Sequence, residues 1–250
     1  MKPVYRNYGH YIQDGWPRTP KKYFIDIADL LEKAVVPEDC EVLDIGCATG
    51  DFLGYIHERF PKATLVGVDV FDELLETGRQ LAPYVQFEKA SVLEVASVLD
   101  RRFDVITALG ILPLFPTDQL ESFFDNVFRC LKPNGRAIIM SPFNEFGVDV
   151  MSTHRKRITG KAGPWETAWN VYALETITDI VKDSCKSFRF IPFQFDRKLE
   201  QGLDPGRTWT HPTEHNPHQL MNGLKLLIDL YFLECVAGTV TVKSGTQSSV

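Results

Sequence analysis

Residues Lys22 to Ala34, KYFIDIADLLEKA, carry apolar side chains at helical spacing and are followed by Pro37, the pattern of a helix laid on a core. The period then changes. EVLDIG is a short apolar run closing on glycine, a strand meeting a turn, and DFLGYIHERF returns to helical spacing before Pro61. ATLVGVDV, DELLETGRQLA and VQFEKA continue as strand, helix and strand; FDVITALG, DQLESFFDNVFRCL, KPNG and RAIIMS follow as strand, helix, tight turn and strand. The strands are continuous apolar runs, as expected where helices cover both faces of a sheet. The expected fold is α/β: a doubly wound Rossmann-like sheet of about seven strands, mostly parallel, with helices on both faces.

Beyond residue 141 the pattern becomes irregular. Residues 142–170 mix glycine, proline, aromatics and the basic run HRKR, and 196–219 form a second polar stretch. Long connections in compact domains tend to be functional or mobile, so both are read as acceptor-binding insertions in a single domain spanning 1–250. Between them VYALETITDIVKDSC has helical spacing and KSFRFIPFQF alternates like a strand. The late run LKLLIDLYFLECVAG fits either period, with a terminal strand expected near YFLECVAGTV. The closing SGTQSSV is expected to fray. The aromatic N-terminus, residues 1–21, is a candidate lid.

Composition narrows the field of partners. A formal net charge of -6 over 250 residues gives no long-range attraction for a nucleic-acid backbone. The N-terminus lacks the apolar core of a signal sequence, and the late apolar run, broken by Lys225, Asp229 and Glu234, is too short to span a bilayer. Cys40, Cys47, Cys130, Cys185 and Cys235 are scattered, odd in number and without a CxxC pair, which fits reduced thiols. A cytoplasmic protein with no nucleic-acid or membrane partner is expected, and the apolar ends leave a homodimer open.

The candidate chemistry sits in the first turn, GCATG. A dinucleotide cradle requires GxGxxG, whose middle glycine lets the pyrophosphate approach the backbone. Here that position is Ala48 and the sixth is Asp51, a carboxylate competing for the amides a phosphate would use. No GK[ST] follows, which excludes a P-loop. Asp44 stands near the end of the first strand and Asp69 at the end of the second, where an acid accepts bonds from ribose hydroxyls. Asp44 can face a cationic amino group. A nucleoside carrying an amino acid in place of phosphates satisfies this layout.

VLDIGCATGDF, followed by LVGVDV, FDVITALGILPLF and LKPNG before RAIIMS, resembles the class I S-adenosylmethionine-dependent methyltransferases, with the likeness strong over residues 22–141. The resemblance implies S-adenosyl-L-methionine as cofactor. Asp44, Gly46, Cys47 and Gly50 would surround its methionine part, Asp69 would hold the ribose and Val70 would lie beside the adenine. Ser91 and Val92 follow the third strand, where the family often has an acid; Ser91 departs from that, leaving backbone and the apolar face of Val92 to hold the adenine. Ala108 and Leu109 would line the sulfonium.

A hydroxyl acceptor needs a base, and histidine is the natural one. His154, about a dozen residues past the fifth strand, is the catalytic candidate, and Arg155 a clamp for phosphate or carboxylate. His10 could belong to the lid, while Arg207, Trp209 and His211 could form an acceptor wall. His57 reads as a helix-surface residue. His211, His215 and His218 with Glu214 are interrupted by Pro212 and Pro217, so no metal site is expected. The absent asparagine- or aspartate-proline-proline-aromatic signature, where ALGILPLF stands, argues against amino-methylating nucleic-acid enzymes. The expectation is O-methylation of a small polar molecule such as a sugar, phosphorylated intermediate or natural product. Small-molecule N-methylation, a nicotinamide-dependent oxidoreductase and a non-catalytic adaptor are the alternatives.

Overall fold

In the computed structural model, which describes Ile12 and residues 19–158, 160–167, 169–204 and 206–238, the apolar runs of the first half become a parallel sheet. Its strands are β1 (Glu41–Ile45), β2 (Thr64–Asp69), β3 (Val85–Lys89), β4 (Phe103–Leu109) and β5 (Leu131–Asn144), flanked by α1 (Lys22–Lys33), α2 (Asp51–Arg59), α3 (Asp72–Leu81), α4 (Val95–Leu99) and α5 (Leu120–Arg129). The central strands are buried on both faces: β1 and β2 each expose only their first residue appreciably. β3, at the edge, alternates instead, with Val85 and Phe87 inward.

Two later strands, β11 (Ser187–Phe193) and β15 (Leu230–Val236), complete the order β11-β15-β5-β4-β1-β2-β3. β15 runs antiparallel to both neighbours. Glu234, 4% exposed, is held across this ladder by Arg136 on β5 (Nη1 to Oε1, 2.8 Å) and Arg189 on β11 (Nε to Oε2, 2.5 Å). The apolar run of ambiguous period is therefore strand. It lies between two strands in an extended core, and its buried Phe232, Leu233 and Cys235 serve both faces.

Three expectations shift. KPNG is a bulge inside β5 rather than a separate turn: Leu131 pairs with Phe103 and Arg136 with Val105, and Asn134 takes φ 61° between them. The segment 142–170 is ordered into antiparallel ladders, β6 (Thr153–His154) with β9 (Glu166–Thr167) and β7 (Arg157–Ile158) with β8 (Lys161–Ala162). The second insertion runs beyond residue 219, because β13 (Gln219–Asn222) pairs with both β12 (Thr208–His211) and β14 (Leu227–Ile228). The strand β10 (Tyr172–Ala173) joins β5 past the end of β4, and α6 (Leu174–Val181) follows. Its N-terminus is capped at a distance, with Asp149 accepting from the Ala173 amide and the Thr176 hydroxyl, both at 2.7 Å. The candidate lid lies outside the described residues, Ile12 and residues 19–21 excepted, and so does His10.

Candidate cofactor and acceptor site

The chain leaves β1 for β2 and β3 on one side and returns to β4 on the other, so the sheet's switch point lies at the carboxyl ends of β1 and β4. Asp44 on β1 stands in register with Gly67 and Thr107. It is 3% exposed, and its Oδ1 accepts from the Thr107 hydroxyl at 2.7 Å. Burial pushes its pKa up to about 8 against the pull of the Thr107 bond, with Asp51 and Asp69 adding to the rise.

The turn after β1 is tied to β2: the Gly46 and Cys47 amides donate to the Val68 carbonyl at 2.8 and 3.0 Å. Gly46 takes φ 77°, and a Cβ there would come within 2.4 Å of Ile111 Cγ2. Only glycine admits this contact between the first turn and the loop after β4. Asp69 reaches back into the same turn. Its Oδ2 accepts from the Ala48 amide at 3.0 Å, and its Oδ1 from the Val70 and Phe71 amides at 2.7 and 3.1 Å. With about four acceptor positions on a carboxylate, a diol finds one open and reaches a second by displacing an amide. Burial raises the Asp69 pKa, and the amides oppose it.

The other expected contacts divide between side chain and backbone. Cys47 is 2% exposed and packs where a Cβ on Gly67 would meet its Sγ at 2.8 Å. Burial, then Asp44 and Asp69, holds its thiol well above the usual range, so it is a packing residue and leaves backbone to a ligand. Gly50, φ 80°, opens α2. Val70, just past the end of β2, is exposed. Val92 and Ala108 turn their side chains into the core at 3% and 0% exposure, while Leu109 is half-buried. Ser91 Oγ accepts from the Leu93 amide, and the Ser91 amide donates to Glu94, so the hydroxyl serves a local turn.

Three contributors escape the sequence pattern. Thr107 is hidden in a strand run. Lys21, just before α1, pairs with Asp51 and lies 4.9 Å above the Phe24 ring. Tyr23 has its pKa raised by burial, with Asp51 and Asp44 adding to it, so its hydroxyl shares their surroundings.

The first insertion is riveted to the loop after β4 by Asn170, which is fully buried. Its amide donates to the Pro113 carbonyl and its Nδ2 to the Phe115 carbonyl, while its Oδ1 accepts from Ser152. That loop also holds Ile111, so the insertion is anchored one loop from the first turn. Along residues 151–157 exposure alternates. Ser152, His154 and Lys156 are turned in, and Thr153, Arg155 and Arg157 outward. Arg155 stacks on exposed Trp165 at 5.0 Å, so it is no inward clamp; the inward cation is Lys156, bound to Asp204 at 2.8 Å. This bond, and that from Trp169 Nε1 to the Gly206 carbonyl at 3.3 Å, join the two insertions.

His154 Nε2 lies 3.9 Å from Glu166, and its Nδ1 is buried without a partner. Among the described residues the other buried side-chain nitrogens or oxygens in that condition are His218 Nδ1 and Asn222 Nδ2. All three belong to the insertions. Trp209 is half-buried beside Met221, whereas Arg207 and His211 are exposed. His57 stacks on Tyr84 at 3.9 Å. No group of three or more His, Cys, Asp or Glu among the described residues could hold a metal ion, and no helix there is long and apolar enough to cross a membrane.

Residues 42–135 match the family described as a methyltransferase domain. The trans-aconitate 2-methyltransferase of Variovorax paradoxus (strain S110) is 30% identical over 151 residues, 60% of this chain and 56% of that one. That of Azoarcus sp. (strain BH72) is 31% identical over 137 residues, 55% and 51% of the two chains. The chain thus spans about half the length of these curated relatives. In structure it is similar to a SAM-dependent methyltransferase of Methanosarcina mazei, with a TM-score of 0.56 at 13% identity over 84% of this chain and 98% of that one. The likeness is in fold.

Proposed function

We propose that the chain, whose residues 42–135 match a methyltransferase domain, is a class I S-adenosylmethionine-dependent methyltransferase that transfers the cofactor's methyl group to an oxygen of a small polar metabolite. The observation that carries this reading is the frame of Asp44, bonded to Thr107, and Asp69, folded over the first turn, at the switch point of the sheet. That frame suits a ligand with a cationic amino-acid end and a ribose diol, and its acids repel the phosphates of a nicotinamide dinucleotide.

When bound, the cofactor supplies a methyl group on a sulfonium, already joined to a good leaving group. What remains for the protein is alignment and the exclusion of water. Asp44 and the Gly46–Gly50 backbone hold the amino-acid end, Asp69 the ribose, and Leu109 with the Gly110–Phe115 loop closes the methyl side. The insertions hold the acceptor. Support for that division comes from the three orphaned polar atoms, all on the insertion side. Buried polar groups are almost always satisfied, and one left over is explained by a ligand or water.

The relatives' names point to trans-aconitate, a tricarboxylate. A carboxylate oxygen is a nucleophile at neutral pH without help, so for such an acceptor His154 and Lys156 orient a charge. For a hydroxyl acceptor, His154 Nδ1 removes a proton. Five free thiols fit work in a reducing cytoplasm.

The test is calorimetric titration with S-adenosylmethionine and with NADH, using Asp69→Ala as control. It is followed by methyl uptake from labelled cofactor into a panel holding trans-aconitate, sugars and phosphorylated hydroxy acids. Saturable binding weakened by Asp69→Ala, with uptake into one acceptor class, is the expected result. Selective NADH binding, or cofactor binding with no methyl uptake into any small molecule, overturns the reading.

A further inference from the structure

Three carboxylates crowd the first turn. Asp44 and Asp69 are buried, and Asp51 at the start of α2 is mostly so. Thr107 and backbone amides satisfy the first two by hydrogen bonds. Among the described residues the full positive charge in the group is Lys21: its Nζ binds Asp51 Oδ2, and its field reaches Asp44. Two aromatic faces steady it, Phe24 at 4.9 Å and Tyr23 at 5.9 Å. The ammonium is therefore held at the edge of the acid cluster, partly open to solvent.

We propose that Lys21 is a cofactor-operated latch: it neutralises Asp51, at the edge of the acid cluster, in the place of the cofactor's α-ammonium, and passes to the α-carboxylate when the cofactor binds. The inference rests on the methyltransferase reading and adds a positioning residue to it. The chemistry is a charge exchange. A zwitterion brings one cation and one anion; its ammonium takes over the Asp51 carboxylate that Lys21 guards, and its carboxylate receives the displaced Lys21. A ligand with the ammonium alone must compete with Lys21 and gets nothing back. A ligand with neither group ignores the exchange.

The experiment compares wild type and Lys21→Met by calorimetry with three ligands. S-adenosylhomocysteine carries both groups, its decarboxylated form S-adenosyl-3-thiopropylamine carries only the ammonium, and methylthioadenosine carries neither. Expected is a crossing. The variant binds S-adenosylhomocysteine about 10- to 100-fold more weakly, as for loss of a charge-assisted bond. It binds the amine ligand as well as or better than wild type, and methylthioadenosine equally. The last arm also reports that the adenosine site is folded. Parallel loss of affinity for S-adenosylhomocysteine and the amine, or unchanged affinity for all three, overturns the latch. Failure of wild-type protein to bind S-adenosylhomocysteine would instead refute the methyltransferase reading.

Discussion

Asp44 makes a prediction in which stability and binding move in opposite directions. Its carboxyl is raised from 3.8 to about 8, chiefly by burial. The folded protein therefore keeps a proton that the unfolded chain has released throughout the interval between those values. For a carboxyl shifted upward, the sign is a loss of stability as pH rises through that window. At about 1.4 kcal/mol per unit, the interval from pH 5 to pH 8 removes about 4 kcal/mol. Asp44→Asn does not titrate and still offers an oxygen to Thr107. Wild type should thus fall by about 10 °C in Tm relative to Asp44→Asn over that interval. Cofactor binding runs the other way, because an ammonium favours the ionised acid: near pH 7 the binding of S-adenosylhomocysteine should release close to one proton. Calorimetry in two buffers of different ionisation enthalpy reads it directly. A Tm difference between the two proteins that stays constant from pH 5 to pH 8, or binding with no proton release, would refute the reasoning.

Gly46→Ala places a Cβ against Ile111 at a positive φ, costing about 1 kcal/mol in backbone strain before any clash; S-adenosylhomocysteine affinity should drop, and Ile111→Ala in the same chain should restore part of it. Asn170→Ala removes the rivet between the first insertion and the loop after β4. It should cost about 1–3 kcal/mol and speed amide exchange across residues 145–171, with cofactor affinity unchanged. Once an acceptor is identified, Lys156→Ala should raise its KM about tenfold, the effect of one lost charged bond, while Arg155→Ala, stacked on the exposed Trp165, leaves it unaltered. Equal effects of the last two would show that the alternation of residues 151–157 does not set the acceptor-facing side.

The first half of the fold was legible in the sequence because its signals are local. Continuous apolar runs give the parallel strands, and an acid at the end of a strand names its own position. The contacts missed there come from register. Thr107 meets Asp44 only because β4 lies beside β1, and Lys21 meets Asp51 across 30 residues of chain. The insertions were less legible for a different reason. Two-residue ladders such as β6 with β9 are too short to impose a period, and which of Arg155 and Lys156 turns inward depends on a strand phase that no apolar run announces. The late strand β15 was ambiguous because a strand buried on both faces and a buried helix look alike in composition.

These two halves also differ in how completely they satisfy themselves. Around the first turn Asp69 is bound by three amides, Asp44 by a hydroxyl and Asp51 by Lys21, so a cofactor held there as proposed would exchange with existing partners. Exchange favours selectivity: only a ligand returning an equivalent donor for each bond it displaces binds well, and a phosphate, offering acceptors alone, returns none. In the insertions the opposite holds, since His154, His218 and Asn222 each leave a buried nitrogen unpaired. Such groups cost about 1–3 kcal/mol apiece until something meets them. Under the proposed reading, acceptor binding is additive where cofactor binding is substitutive. Apolar residues of similar shape in place of Asn222 or His218 are expected to leave cofactor affinity intact while acceptor turnover is lost. If instead turnover survives and the protein melts lower, those nitrogens are satisfied within the fold, and the acceptor is held elsewhere.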